Sequence, residues 1–186
     1  MNPAIGHPMR MISLLAALLP ILPLPPATAA DTYKEIPWEA LVPKGWDPAK
    51  ELKALDFSKL QDSDPKAMEA LQKMKALFDS APTEPALAGR KVRLPGFAIP
   101  LEKKGEKVSE FLLVPYFGAC IHSPPPPANQ IIHVTSAKPL SGIRSMDALW
   151  VSGTLSIARS DSPWGAAAYR LNAEVVKPYE EPKDKR

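Results

Sequence analysis

From residue 87 onward, apolar side chains recur at every second position. Between 148 and 157, Leu149, Val151, Gly153, Leu155 and Ile157 fall on one face, and Trp150, Ser152, Thr154 and Ser156 on the other. That is the period of a half-buried strand. Tyr169, Leu171, Ala173 and Val175 repeat it near the C-terminus. Five strands are predicted, at about 90–101, 109–117, 130–135, 148–158 and 167–176. Pro95-Gly96 interrupts the first and predicts a bulge or sharp bend there, and Lys103-Lys104-Gly105-Glu106 supplies a hairpin-like turn into the second. Five short strands with a bent first strand, and no strong helix between them, predict a mainly β fold. The first choice is a small OB-like Greek-key β-barrel, in which a bent strand pairs in both halves; a small β-sandwich is the alternative. With 23 prolines in the chain, a helix bundle is set aside.

Upstream the period changes to that of a helix. Residues 65–79 predict one, with Asp64 as N-cap, Pro65 at the first helical position, and Met68, Leu71, Met74 or Lys75, and Phe78 along one side. At this spacing Met68 and Met74 read as core rather than as soft metal ligands. The helix belongs to an N-terminal arm, 30–86, whose Trp38, Leu41, Trp46 and Leu55 are expected to pack on the β body. Ala81-Pro82-Thr83-Glu84-Pro85 marks a hinge between the two. The β domain runs from 87 to 180, and a charged tail follows at 181–186.

Residues 1–29 have the features of a cleavable secretory leader: Arg10, an apolar run from Met11 to Leu24, and the small-x-small signal Ala27-Thr28-Ala29. The run is short and broken by Pro20 and Pro23, so no stable membrane insertion is expected after cleavage. Without the leader, 22 basic side chains face 20 acidic ones, and so balanced a chain implies neither nucleic acid nor an anionic membrane surface as partner. The expected location is periplasmic. In an oxidising compartment one cysteine cannot form an internal disulfide. Cys120 is therefore a buried inert thiol, a metal ligand, a redox group, or half of an intermolecular bridge.

Candidate chemistry gathers at 111–135, FLLVPYFGACIHSPPPPANQIIHVT. In an extended segment Cys120 and His122 point to one side, and a thiolate beside an imidazole suits zinc or copper. Further ligands would come from His133 or Glu102, both weaker candidates. His133 also reads as an ordinary histidine on a half-buried face, and Glu102 as a solvated charge next to Lys103 and Lys104. Cys120 beside Ala119 and Ile121 equally reads as a small buried hydrophobe. A thiol-dependent enzyme or redox protein centred on Cys120 is the rival from another class, but no resolving cysteine accompanies it. Pro124, Pro125, Pro126 and Pro127, with Asn129 beyond them, read as a stiff connector or as a polyproline II ligand for a partner. Tyr116, Phe117 and Trp150 would line a pocket beside this loop.

GRKVRLPGFAIPLE, EFLLVPYFGACIHSPPPPANQIIHV, LWVSGTLSI and YRLNAEVVKPYE, with IPWEALVP ahead of them, together resemble a bacterial family of secreted proteins and lipoproteins described only as a domain of unknown function. The resemblance implies an envelope location, a small β fold, and frequent association with ABC-type permease systems, some linked to zinc or other metals; it implies no catalytic activity. The lipidated cysteine of the lipoprotein members is missing here. The resulting expectation is a soluble, non-enzymatic periplasmic accessory protein that binds a transition metal, zinc above others, or assists a metal-linked ABC transport system. A structural envelope binding module with a buried Cys120 is a further alternative.

Overall fold

The computed structural model describes residues 32–53, 65–119 and 125–180. Five strands close into a barrel: β2 (Lys91–Lys104), β3 (Lys107–Val114), β4 (Ile132–Ser141), β5 (Ala148–Ser162) and β6 (Gly165–Pro178), while the short β1 (Lys34–Glu35) adds to β2 in parallel. Closure depends on β2. Its residues 91–97 pair with β5 and residues 97–104 with β3, both antiparallel. The circuit continues from β3 to β4, from β4 in parallel to β6, and from β6 back to β5. Two long antiparallel arms with one parallel contact give the OB-like Greek-key barrel predicted from the alternation.

At Pro95-Gly96 one of the two expected irregularities, a bulge, is not found, while the pairing of β2 in both halves of the barrel is. Pro95-Gly96 is not a bulge, because pairing with β5 runs without a register shift from Lys91 to Phe97; the irregularity lies further on, around Glu102. Gly96 is the crossing point where β2 changes partner, and a Cβ there would meet Leu113 Cγ at 2.7 Å and the Val114 carbonyl oxygen at 2.9 Å. Gly153 is tighter, with 2.1 Å to the Asn172 carbonyl oxygen. The register between β5 and β6 shifts beside it, between Ser152 and Gly153. One extra residue on β6 reverses its alternation, so Val176 rather than Val175 packs on the core. A second shift lies between Ile157 and Ser160, and Ile157, expected on the inner face, is exposed. Most strands outrun their predicted ends, but β3 stops at Val114 instead of 117.

All five strands contribute to the barrel interior, where Leu94, Phe111, Leu113, Ile132, Val151, Leu155, Tyr169 and Leu171 are buried together. Trp38, Leu41 and Ala81 belong to the same cluster, and Trp46 packs against it. The arm is thus built into the core at these positions; Leu55 lies outside the described residues. The Tyr169 hydroxyl fastens the arm twice, donating to the Leu41 carbonyl at 2.7 Å and accepting from the Glu84 amide at 2.6 Å. Burial raises the pKa of this phenol, which keeps its proton for the first of these bonds. Two helices complete the arm, α1 (Pro48–Lys53) and α2 (Pro65–Asp79). In α2, Ala70 is buried while Met68 and Leu71 are exposed. The apolar stripe expected to face the core is therefore displaced, since Ala70 allows a closer approach than a long side chain would. Asp64, the predicted N-cap, lies outside the described residues.

Two predictions follow from these ties. Tyr169→Phe leaves the Leu41 carbonyl and the Glu84 amide without their partner and should cost about 1–3 kcal/mol in urea unfolding. A smaller effect would mean that the arm is held by apolar contact alone. On the surface, Glu174 accepts from Tyr33 at 2.9 Å, Lys91 at 3.2 Å and Thr154 at 3.3 Å. The bonds from Tyr33 and then Lys91 hold its pKa below the ordinary 4.5. A carboxyl lowered on folding adds stability above its unfolded value and loses it as the pH falls through the lower folded one. Stability should therefore decline below pH 4.5, and Glu174→Gln should flatten that part of a stability–pH curve.

Candidate functional site

The segment between β3 and β4 is held against the outside of the barrel at its described ends, through Ala119 and Ile131. On β2 and β3 the side chains that alternate with the interior set, Ile99, Leu112 and Val114, are also buried, together with Ala119, Ile131 and Ala167; Phe97, Leu101 and Met146 pack around them. A strand buried on both faces loses the alternation of a solvated one, which is why FLLV reads as a continuous apolar run. At the start of the segment the Gly118 amide lies 3.3 Å from Met146 Sδ. Met146 has a left-handed backbone, φ 67°, stabilised by its amide bonding the Ala98 carbonyl at 2.7 Å.

The far end is fixed by a turn at Ala128–Gln130. Asn129 is fully buried, and its side-chain amide donates to the Pro82 carbonyl at 2.9 Å; Gln130 donates to the Trp38 carbonyl at 3.0 Å. Pro126 is buried, with Pro125 and Pro127 half-buried. Pro125 comes within 3.0 Å of where a Cβ on Gly165 would stand, so a larger residue there would push the proline away. Asn129 and these prolines belong to the packing that joins arm, segment and hairpin end. Cys120, His122 and Pro124 lie outside the described residues.

His133 is 8% exposed and points away from the barrel interior, opposite Leu112 in register. Both ring nitrogens are engaged: Nε2 lies 2.9 Å from Glu110 Oε2 and Nδ1 lies 3.0 Å from Ser160 Oγ. An ionised carboxylate only accepts, so Nε2 donates to Glu110; in a neutral ring Nδ1 is then the acceptor for the Ser160 hydroxyl. As a metal ligand, His133 would first have to give up one of these bonds. Glu102 is exposed and stands opposite Glu110 at the irregular end of the β2–β3 pair. Among the described residues, no group of three or more His, Cys, Asp and Glu side chains is placed to hold a metal ion.

The predicted pocket residues do not converge either. Tyr116 and Phe117 are exposed, Phe117 meeting Phe97 edge-on at 5.8 Å. Trp150 lies between Tyr179, at 5.6 Å, and the Arg93 guanidinium, at 4.0 Å. A groove of about 250 Å3 is lined instead by Trp38, Phe97 and Tyr179 with Pro95, Gly96, Pro115 and Ala148. These come from five separate stretches of chain, so strand alternation alone does not select them. Glu110, Ser160 and Met146 were equally absent from the candidates. Glu110 and His133 are 23 residues apart, and only the β3–β4 register makes them neighbours.

A five-stranded closed barrel, with an N-terminal arm in its core and a proline-rich segment fastened to its outer face, defines the class of protein. The chain belongs to the family DUF3299, described as a protein of unknown function, whose model matches residues 38–178. It is similar to the crystal structure of a DUF3299 family protein from Pseudomonas aeruginosa PAO1, with 36% identity, a TM-score of 0.62, and coverage of 81% of this chain and 98% of that one. No curated protein matches the chain. The family shows the unknown-function membership expected from the GACIHSPPPPANQ region.

If the second cluster fastens the 115–131 segment independently of the barrel, Ala119→Asp should release it by placing an unpaired carboxylate in an apolar site. Limited proteolysis should then cut within the segment while β2, β5 and β6 stay protected. Loss of protection throughout the barrel would show that both clusters unfold as one unit.

Proposed function

We propose that this chain is a periplasmic accessory protein that works by binding, with the segment around Cys120 and His122 as its working part. The observation that carries this reading is the fastening of that segment at both described ends: Ala119 is fully buried in the second cluster, and Asn129 is fully buried in the turn that leads back into the barrel. Ordering a loop costs roughly 1–2 kcal/mol per residue in backbone entropy, so a segment already held at both ends has less to lose when it receives a ligand.

The ligand we propose is a transition metal ion, zinc above others. Cys120 and His122 would supply a thiolate and an imidazole, the donors zinc and copper prefer. Both His133 nitrogens are engaged, so further ligands would come from elsewhere, a component of an ABC-type permease system among the sources, in keeping with an accessory role.

Reduced, chelator-stripped protein titrated with zinc and with copper(I) should bind one equivalent of metal. Cys120→Ser and His122→Ala should each weaken that binding at least tenfold, whereas His133→Gln should leave it within about threefold. Absence of binding to any form would retire the metal reading for the isolated chain.

A further inference from the structure

We infer that Ser160 is an activated nucleophile, served by His133 as general base and by Glu110 as the group that positions the base, and that it accepts acyl groups from small carboxylic esters. This goes beyond the metal reading and does not rest on it. In the neutral ring the tautomer follows from the contacts: the Glu110 carboxylate, 2.9 Å from Nε2, takes the ring N–H, which leaves the Nδ1 lone pair facing the Ser160 hydroxyl at 3.0 Å. A hydroxyl nucleophile, a base in hydrogen-bond reach and a third group that orients the base are the parts this chemistry requires, recognised by their roles rather than by chain order.

The surroundings agree with this assignment. His133 is nearly buried, with its side chain 10% exposed, while the Glu110 side chain is 40% exposed and Ser160 is half-buried. The base is therefore fixed while the hydroxyl can be approached. Ser160 stands at the register shift in β5, and such irregularities re-aim side chains next to sites. Arg170 is the β6 register partner of His133. Its Nε is buried with no hydrogen-bond partner among the described residues. This guanidinium, on the strand next to the base, is the cation we assign to an ester carbonyl oxygen as charge develops on it. Other hydroxyls in this region serve the backbone: Ser156 donates to the Arg170 carbonyl and Ser162 to the Gly165 carbonyl.

In the proposed step the Ser160 oxygen bonds to the ester carbonyl carbon and its proton passes to His133 Nδ1. The carbon–oxygen bond to the leaving alcohol breaks, and the alcohol departs with that proton. Water then adds to the acyl-serine by the same route, releasing the carboxylic acid and restoring the hydroxyl.

The test uses the full mature chain and a fluorophosphonate probe, which traps an activated serine by forming an oxygen–phosphorus bond with loss of fluoride. Mass spectrometry should place the adduct on Ser160, and Ser160→Ala should abolish it. Glu110→Gln should slow labelling on the order of 10²-fold with an unchanged melting temperature, and Glu110→Asp should recover part of the rate. Hydrolysis of 4-nitrophenyl acetate should fall in parallel. His133→Gln should also lose labelling, but since this residue is buried, the half-exposed Glu110 pair decides the matter if that variant misfolds. Labelling of Ser160 no faster than of other serines, or a rate indifferent to Glu110→Gln, would overturn the proposal.

Discussion

Barrel closure rests on the double pairing of one strand. β2 pairs along its first half with β5 and along its second with β3, so the sheet has no free edge along the circuit. For a strand to leave one neighbour and join another, backbones must come closer than side chains normally permit. Gly96 stands at that crossing, and Gly153 supplies a second close approach at the β5–β6 irregularity. Everything else is arranged around the resulting cavity: Phe111, Leu113, Tyr169 and Leu171 fill it, and Trp38 and Leu41 of the arm close it.

The same closure creates the outer face on which the functional readings depend. Strands β2 and β3 are apolar on both sides, so the outer side needs its own cover, and the segment after β3 provides it through Ala119 and Ile131. A segment that packs at its described ends loses less conformational freedom on receiving a ligand than an unanchored tail would. His133 borders this face. Its burial would be costly for an unpaired imidazole, and Glu110 and Ser160 remove that cost by using both ring nitrogens. A group fixed so completely would have to break one of these bonds before it could ligate a metal.

Membership of DUF3299 extends the architecture to the related crystal structure, with which this chain shares 36% identity. The name of the family assigns no reaction, so chemistry has to come from side chains. Two sets are available, Cys120 with His122 in the sequence, and Glu110, His133 and Ser160 in space. They ask for different chemistry, soft-metal binding and acyl transfer, and neither requires the other.

The alternation of Leu149, Val151 and Leu155, the stop at Lys103-Lys104-Gly105-Glu106 and the proline-initiated helix at Pro65 were legible because each depends on local conformation, which a few adjacent residues determine. So was the barrel itself, since the number and spacing of strands leave few ways to bury them. What only the tertiary structure decided are the features that depend on strand register or on how elements dock: that Val176 replaces Val175 against the core, that Met68 and Leu71 face outward while Ala70 packs, and that the groove aromatics are Trp38, Phe97 and Tyr179 rather than Tyr116, Phe117 and Trp150. A single bulge reverses every side chain after it, and one residue is too small a change to show in a hydrophobic pattern. His133 was visible as a candidate from its sequence neighbours, but Glu110 and Ser160 became its partners only when three strands, set by pairing energies far along the chain, brought 23 and 27 residues of separation down to hydrogen-bond distance.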